Sequence, residues 1–191
     1  MRPAAGTDLR SAPMPPLRDD DHVRGPAGAP LVLLYGDFTC PRCGPAAQRL
    51  QAAGLFRVAF RHFALRAKHR RAVALAHAAE AVARQGAFWA MHDSLFADQG
   101  RTDDPHLWAR CDQLGIDVER FEADRRDPLV AERVARDVRD ALRAGATATP
   151  TLWAPDEDGV IATMNTFGFR DVRRLGPPTE GRARKGSPYE Q

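Results

Sequence analysis

Residues 31–43 read LVLLYGDFTCPRC, and this stretch decides the fold. Leu31 to Leu34 is an aliphatic run between Pro30 and Gly36, the pattern of a short buried strand. Beyond Asp37 come two cysteines three positions apart, and Pro41 to Ala53 has helical composition that stops before Gly54. A strand that feeds a helix through Cys40-Pro41-Arg42-Cys43 sets both sulfurs at the helix start. Three residues make nearly one helical turn, which brings the sulfurs within bonding reach. Cys40 falls at the helix N-terminus, where unpaired N–H groups and the helix dipole favour a thiolate, and Arg42 adds a permanent positive charge. Cys43, one turn inside, reads as the shielded resolving thiol. Such a pair is suited to disulfide exchange, in which the thiolate is the nucleophile. A bare CxxC is also half of a zinc site. The chain offers Cys111 and six histidines besides, but no second paired motif. The strand-to-helix placement favours redox chemistry.

Working outward, FRVAF at residues 56–60 alternates apolar and charged positions and reads as a second strand. Ala67 to Gln85 is alanine-rich and helical, closed by Gly86; Phe88, Met91 and Leu95 then give a wide apolar helix face that includes Trp89. Asp104-Pro105 and Asp127-Pro128 each place a capping carboxylate before a proline at the first helical position, with ends expected at Gly115 and Gly145. A shorter helix is expected from Asp117 to about Asp124. Strand character returns at Thr151 to Ala154 and at Val160 to Thr163. Helices occupy the centre and strands the two ends. Residues 1–21, rich in proline and charge, read as a flexible arm; residues 22–175 form the domain; 176–191 read as a disordered tail.

Composition excludes several classes. With 43% hydrophobic residues the chain has a core to bury, and three cysteines among 191 residues are too few for a disulfide scaffold. The net charge of +3 has its two signs interspersed. The densest basic run, Arg66, Lys68, His69, Arg70 and Arg71, lacks aromatics, so it reads as a solvated helix start and no nucleic-acid partner is expected. No apolar stretch approaches the ~20 residues of a membrane span or forms a secretory signal, so no membrane insertion and a cytoplasmic location are expected.

Five motifs occur together and in order: DHVRGPAGAP, YGDFTCPRC, FRHFAL, FWAMHDSLF and ATATPTLW. In these the chain resembles the DsbA-like thioredoxin-fold thiol–disulfide oxidoreductases, especially the branch found as a domain fused to sodium/proton antiporters. The resemblance implies an α/β thioredoxin fold. A helical insertion at about 65–145 would separate a strand-helix-strand half from a C-terminal β-hairpin. It implies Cys40 and Cys43 as catalytic residues, with Pro41, Arg42, Thr149 and Pro150 contacting substrate. Pro150 would follow a cis bond and lie against the cysteines, with the Thr149 backbone offered to an incoming peptide like an added strand. Protein thiols or disulfides and a redox partner are the implied partners, and no cofactor is needed beyond the cysteine pair. The alternatives are a non-catalytic interaction module, or an isomerase or glutathione-linked enzyme on the same fold.

Three departures from the family stand out. A buried acid usually lies six residues before the first cysteine, and here that position is Leu34. Asp37 is nearer the pair but reads as a turn or cap residue. Pro45, read as one turn inside the helix, is expected to kink it. The family's closing strand and amphipathic helix are replaced by MNTFGFRDVRRLG and a polar tail, with at most a short helix at Arg170 to Leu175. Cys111 reads as a packed free thiol on a face with Leu107, Trp108 and Leu114. His62 reads as a packed or hydrogen-bonded histidine. With Arg42 and the dipole favouring the thiolate, a redox potential above that of thioredoxin is expected.

Overall fold

The computed structural model describes residues 14–155 and 161–165. Five strands form one sheet: β1 (His22–Arg24), β2 (Leu31–Gly36), β3 (Arg57–His62), β4 (Thr151–Pro155) and β5 (Ile161–Asn165), in the order β1-β3-β2-β4-β5. β2 and β3 are parallel, with Leu33 opposite Ala59; the other pairings are antiparallel. A parallel pair needs a crossover, and α1 (Cys43–Ala53) supplies it. Between β3 and β4 lie α2 (Ala72–Ala83), α3 (Phe88–Ala97), α4 (Asp104–Gln113), α5 (Val118–Asp124) and α6 (Pro128–Arg143). This is a mixed α/β thioredoxin fold with a helical insertion.

The period-2 alternation of β2 divides the core. Val32 and Leu34 join Phe60, Leu152, Cys40, Cys43 and the apolar faces of α1 to α5 in one cluster. Leu33 and Tyr35 join Ala59, Trp153 and Ala141 of α6 in another. Sheet residues are therefore buried on both sides, which is why LVLL is a continuous apolar run.

Boundaries moved where local signals competed. The carboxylate that caps α4 belongs to Asp103, which accepts the His106 N–H at 3.1 Å, so Asp104 and Pro105 occupy the first turn. Asp127 caps α6 as expected, accepting the Leu129 N–H at 2.8 Å. Gly115 and Gly145 close their helices with φ of 67° and 84°. Helix α1 begins at Cys43, so Pro45 sits in its first turn, where an N–H has no intrahelical partner. The first i→i−4 bond, Ala46 N–H to Arg42 O, leaves Pro45 breaking nothing, and α1 runs unbroken to Ala53. Trp108 is exposed on α4 with its indole N–H on Glu122; Leu107 and Cys111 are the buried face.

The expectation of a flexible arm through residue 21 is corrected for residues 14–21. Asp21 is buried against Arg61, which also donates to Pro16 O and to the Tyr35 hydroxyl. Arg18 reaches Asp137 and Asp140 of α6. Met14 packs on the second cluster. Arg61 is only 1% exposed, so its charge requires the carboxylate that this segment delivers. The expected tail at 176–191 and the short helix at Arg170 to Leu175 lie outside the described residues. Among the described residues, no helix is long and apolar enough to cross a membrane.

Candidate active site

The loop from Asp37 to Arg42 joins β2 to α1 and makes its own hydrogen bonds. The Asp37 carboxylate accepts the Thr39 N–H at 2.8 Å and the Thr39 hydroxyl at 2.7 Å, and the Asp37 carbonyl accepts the Cys40 N–H at 3.0 Å. Asp37 is thus the turn residue that the sequence suggested, with its carboxylate turned to Thr39 and its N–H directed to Cys43 Sγ at 3.5 Å. The Cys43 N–H returns to the Cys40 carbonyl at 3.1 Å, closing the turn that leads into α1.

Both cysteines are unbridged. Cys40 is 8% exposed and Cys43 is fully buried. Pro41 and Arg42 are exposed between them. The loop before β4 comes to the same place: Cys40 Sγ lies 3.3 Å from the Thr149 carbonyl oxygen, across 109 positions of sequence. The Thr149–Pro150 bond is cis, and Pro150 is buried. Five of the six sequence-predicted site residues thus lie on two loops that meet at Cys40, and Cys43 is the first residue of α1.

The two sulfurs differ sharply in acidity. The Cys43 thiol bonds to the Cys40 sulfur and is the largest influence holding the Cys40 pKa down at about 5. Burial opposes this; the Thr149 hydroxyl and the N–H groups of Arg42 and Cys43 add to it. Cys43 is pushed far above the ordinary thiol range by the same bond to Cys40, and then by burial. The pair shares one proton, which resides on Cys43. Arg42 acts through its backbone N–H, whereas the sequence had pointed to its guanidinium.

Leu34 is buried in the apolar cluster opposite Leu152 and Phe60. Buried acids stand elsewhere. Glu80 bonds to the rings of His62 (2.8 Å) and His22 (2.9 Å) and to Arg133, so His62 has the hydrogen-bonded role expected of it. Asp137 accepts the His62 N–H at 3.0 Å. Cys111 is buried, and burial raises its pKa to about 11, which leaves it a protonated packing residue. Among the described residues, no group of three or more His, Cys, Asp or Glu is placed to hold a metal ion.

Two contacts gave no local signal in the sequence. Gly44 brings α1 close to α3: a Cβ there would lie 3.3 Å from the Phe96 carbonyl. Gln99, after α3, donates to the carbonyls of Phe38 and Cys40.

The model of the DSBA-like thioredoxin domain matches residues 31–173. A curated relative, Na(+)/H(+) antiporter NhaA 1 of Salinispora arenicola, is 41% identical over 140 residues, which cover 71% of this chain and 22% of that protein. The chain therefore spans about a fifth of the length of the curated relatives it matches. Among solved structures, a thioredoxin-like oxidoreductase from Silicibacter pomeroyi DSS-3 is similar with a TM-score of 0.64 and 24% identity over 84% of both chains. The thiol-disulfide exchange protein alpha-DsbA2 from Wolbachia pipientis gives a TM-score of 0.63 at 16% identity, covering 78% of this chain and 82% of that one. At those identities the likeness is one of fold.

Proposed function

We propose that this chain, which belongs to the DSBA-like thioredoxin domain family, exchanges disulfides with protein thiols through Cys40 and Cys43. One observation carries the reading: Cys40 Sγ lies just before the first residue of α1, three positions from the buried Cys43 thiol and 3.3 Å from the Thr149 carbonyl oxygen of the loop that leads into β4. That is the environment of an activated thiolate.

In the oxidising direction, a substrate thiolate attacks Cys40 Sγ of the Cys40–Cys43 disulfide. A mixed disulfide forms, and Cys43 leaves and takes up a proton. The substrate's second thiolate then attacks its own sulfur in the mixed disulfide and expels Cys40 as a thiolate. The substrate loses two electrons and the pair gains them. High acidity at Cys40 suits the second departure, because a low-pKa thiolate leaves fastest, and the proton that Cys43 takes up keeps it from attacking back. A second disulfide, carried by a redox partner, restores the pair. In the reducing direction Cys40 attacks first. Its charge then disappears into the mixed disulfide, which removes the largest influence raising Cys43 and frees that thiol to resolve the intermediate.

Thr149 and Pro150 present the substrate backbone beside Cys40, and Pro41 and Arg42 form the exposed rim. The test is turnover of a protein disulfide such as insulin by the wild type and by Cys40→Ser. Activity lost in the variant supports the reading. Equal rates, or none in the wild type with any dithiol donor, would favour a non-catalytic interaction module.

A further inference from the structure

Resting on the reading of Cys40 as the attacking thiolate, we propose that Gln99 is a positioning residue for that thiolate. Its carboxamide fixes the peptide carbonyls of Phe38 and Cys40, and with them the direction from which the Arg42 and Cys43 N–H groups meet Cys40 Sγ. The Gln99 side-chain nitrogen lies 2.7 Å from Phe38 O and 2.9 Å from Cys40 O, across about sixty positions of sequence. An amide nitrogen has two hydrogens, so each carbonyl receives one.

The loop has need of this. Residues 37–42 belong to neither β2 nor α1, and Pro41 contributes no N–H to hold its own turn. The Cys40 carbonyl accepts from Cys43 as well, at 3.1 Å, so rotating the Cys40 peptide plane breaks both bonds and swings the following N–H groups away from the sulfur. Gln99 holds the plane from outside, and is itself held. Arg110, an 8% exposed side chain of α4, bonds to Ser94 O (2.7 Å), Asp98 O (2.8 Å) and Arg101 O (3.0 Å), gripping the backbone on both sides of Gln99. A buried guanidinium that holds three backbone carbonyls through its two terminal nitrogens makes this loop a rigid bracket. The helical insertion thereby reaches the backbone of the cysteine loop through a neutral amide, beside the packing of Phe38 on Phe96.

Glutamate has the same size as glutamine but, when ionised, offers only acceptors to two carbonyls; leucine offers nothing. Gln99 is half-buried, so both replacements are compatible with folding. The experiment titrates the Cys40 thiolate by its ultraviolet absorbance and by mass-mapped alkylation in full-length reduced protein, for wild type, Gln99→Leu and Gln99→Glu, alongside thermal unfolding. Both variants are expected to raise the titration midpoint by about one unit. Alkylation then falls about fivefold at the wild-type midpoint and stays within about twofold near neutrality, where the thiol is ionised in every protein. A purely structural Gln99 would lower the unfolding temperature and leave the midpoint in place. An unchanged midpoint, with or without lost stability, overturns the proposal. Should Gln99→Leu not fold, Gln99→Met, of similar length and with neither donor nor charge, takes its place, because the charge of Gln99→Glu would raise the midpoint by itself. A wild-type midpoint near the ordinary thiol value of about 8.5 would instead bring down the reading of Cys40 on which this rests.

Discussion

Following the rate at which reduced protein attacks a small aromatic disulfide, from acid to neutral pH, tests the acidity assigned to Cys40. An ordinary thiol with a pKa of about 8.5 is about 3% thiolate at pH 7 and about 0.03% at pH 5. With its pKa held at about 5, Cys40 is about 99% and about 50% thiolate at the same two values. Abundance is not the whole effect, because a less basic thiolate is a weaker nucleophile. At a Brønsted slope of about 0.45, a difference of about 3.5 units costs about 40-fold per thiolate. Near neutrality the gain in abundance is about 30-fold and the loss about 40-fold, so Cys40 should match glutathione in rate. At pH 5 the gain is about 1,600-fold, and Cys40 should lead by about 40-fold. The signature is therefore a shallow profile, flat above about pH 6, measured by stopped flow with glutathione as reference. A rate that climbs about tenfold per unit between pH 6 and 8 would refute the assignment, whatever its absolute speed.

Arg42→Gly keeps its backbone N–H and should move the Cys40 midpoint by less than about half a unit, and added salt should move it little, since no side-chain charge is among its main causes. Cys43→Ala removes the largest cause and should shift the same titration upward by more than Arg42→Gly does. Glu80 is held below the usual carboxylate range: burial would raise it, but its bonds to His22 and His62 outweigh that. A depressed carboxylate stabilises the fold above its unfolded pKa of about 4.3 and loses that contribution as pH falls below it, so urea midpoints should drop in that window. In Glu80→Leu that part of the acid sensitivity should be absent, and the neutral-pH cost of breaking the buried network should be about 3 kcal/mol. A Cβ on Gly36 would lie 2.6 Å from the buried Phe60 ring, so Gly36→Ala should cost about 1–3 kcal/mol by chemical denaturation.

The parts legible in the sequence were those encoded over a few neighbouring residues. The run at Leu31 to Leu34, the alternation of FRVAF and the carboxylate-proline starts each state a local preference, and the sheet and most helices follow them. The reading failed where a residue's partner is remote. Residues 14–21 carry proline and charge without periodicity, the composition of a free arm. Their order comes from Arg61, which stands on β3 and is satisfied only when Asp21 and Pro16 arrive. Gln99 failed for the same reason: a polar residue after a helix is an ordinary loop residue until its amide is seen on the cysteine loop. The α4 cap slipped by one because Asp103 and Asp104 are chemically equivalent, and only the position of Pro105 in the first turn separates them.

These remote contacts share a feature that bears on the chemistry. Among the described residues two networks of buried charge stand away from the cysteines, Glu80 with His22, His62 and Arg133, and Arg61 and Arg18 with Asp21 and Asp137. Position 34, six residues before Cys40, is filled by an apolar side chain within the core. A carboxylate aimed at the sulfurs would oppose the Cys40 thiolate; that of Asp37 is turned to Thr39 instead, while dipoles and a shared thiol proton favour the thiolate. Stabilising that thiolate stabilises the reduced pair, so the disulfide is the better oxidant and its potential should lie above the thioredoxin value of about −270 mV. The Arg42 guanidinium, to which the sequence pointed, is not among the main causes of that acidity. Cys43, Thr149 and the turn at Cys40 are, and those are the groups that the insertion and the β4 loop hold in place.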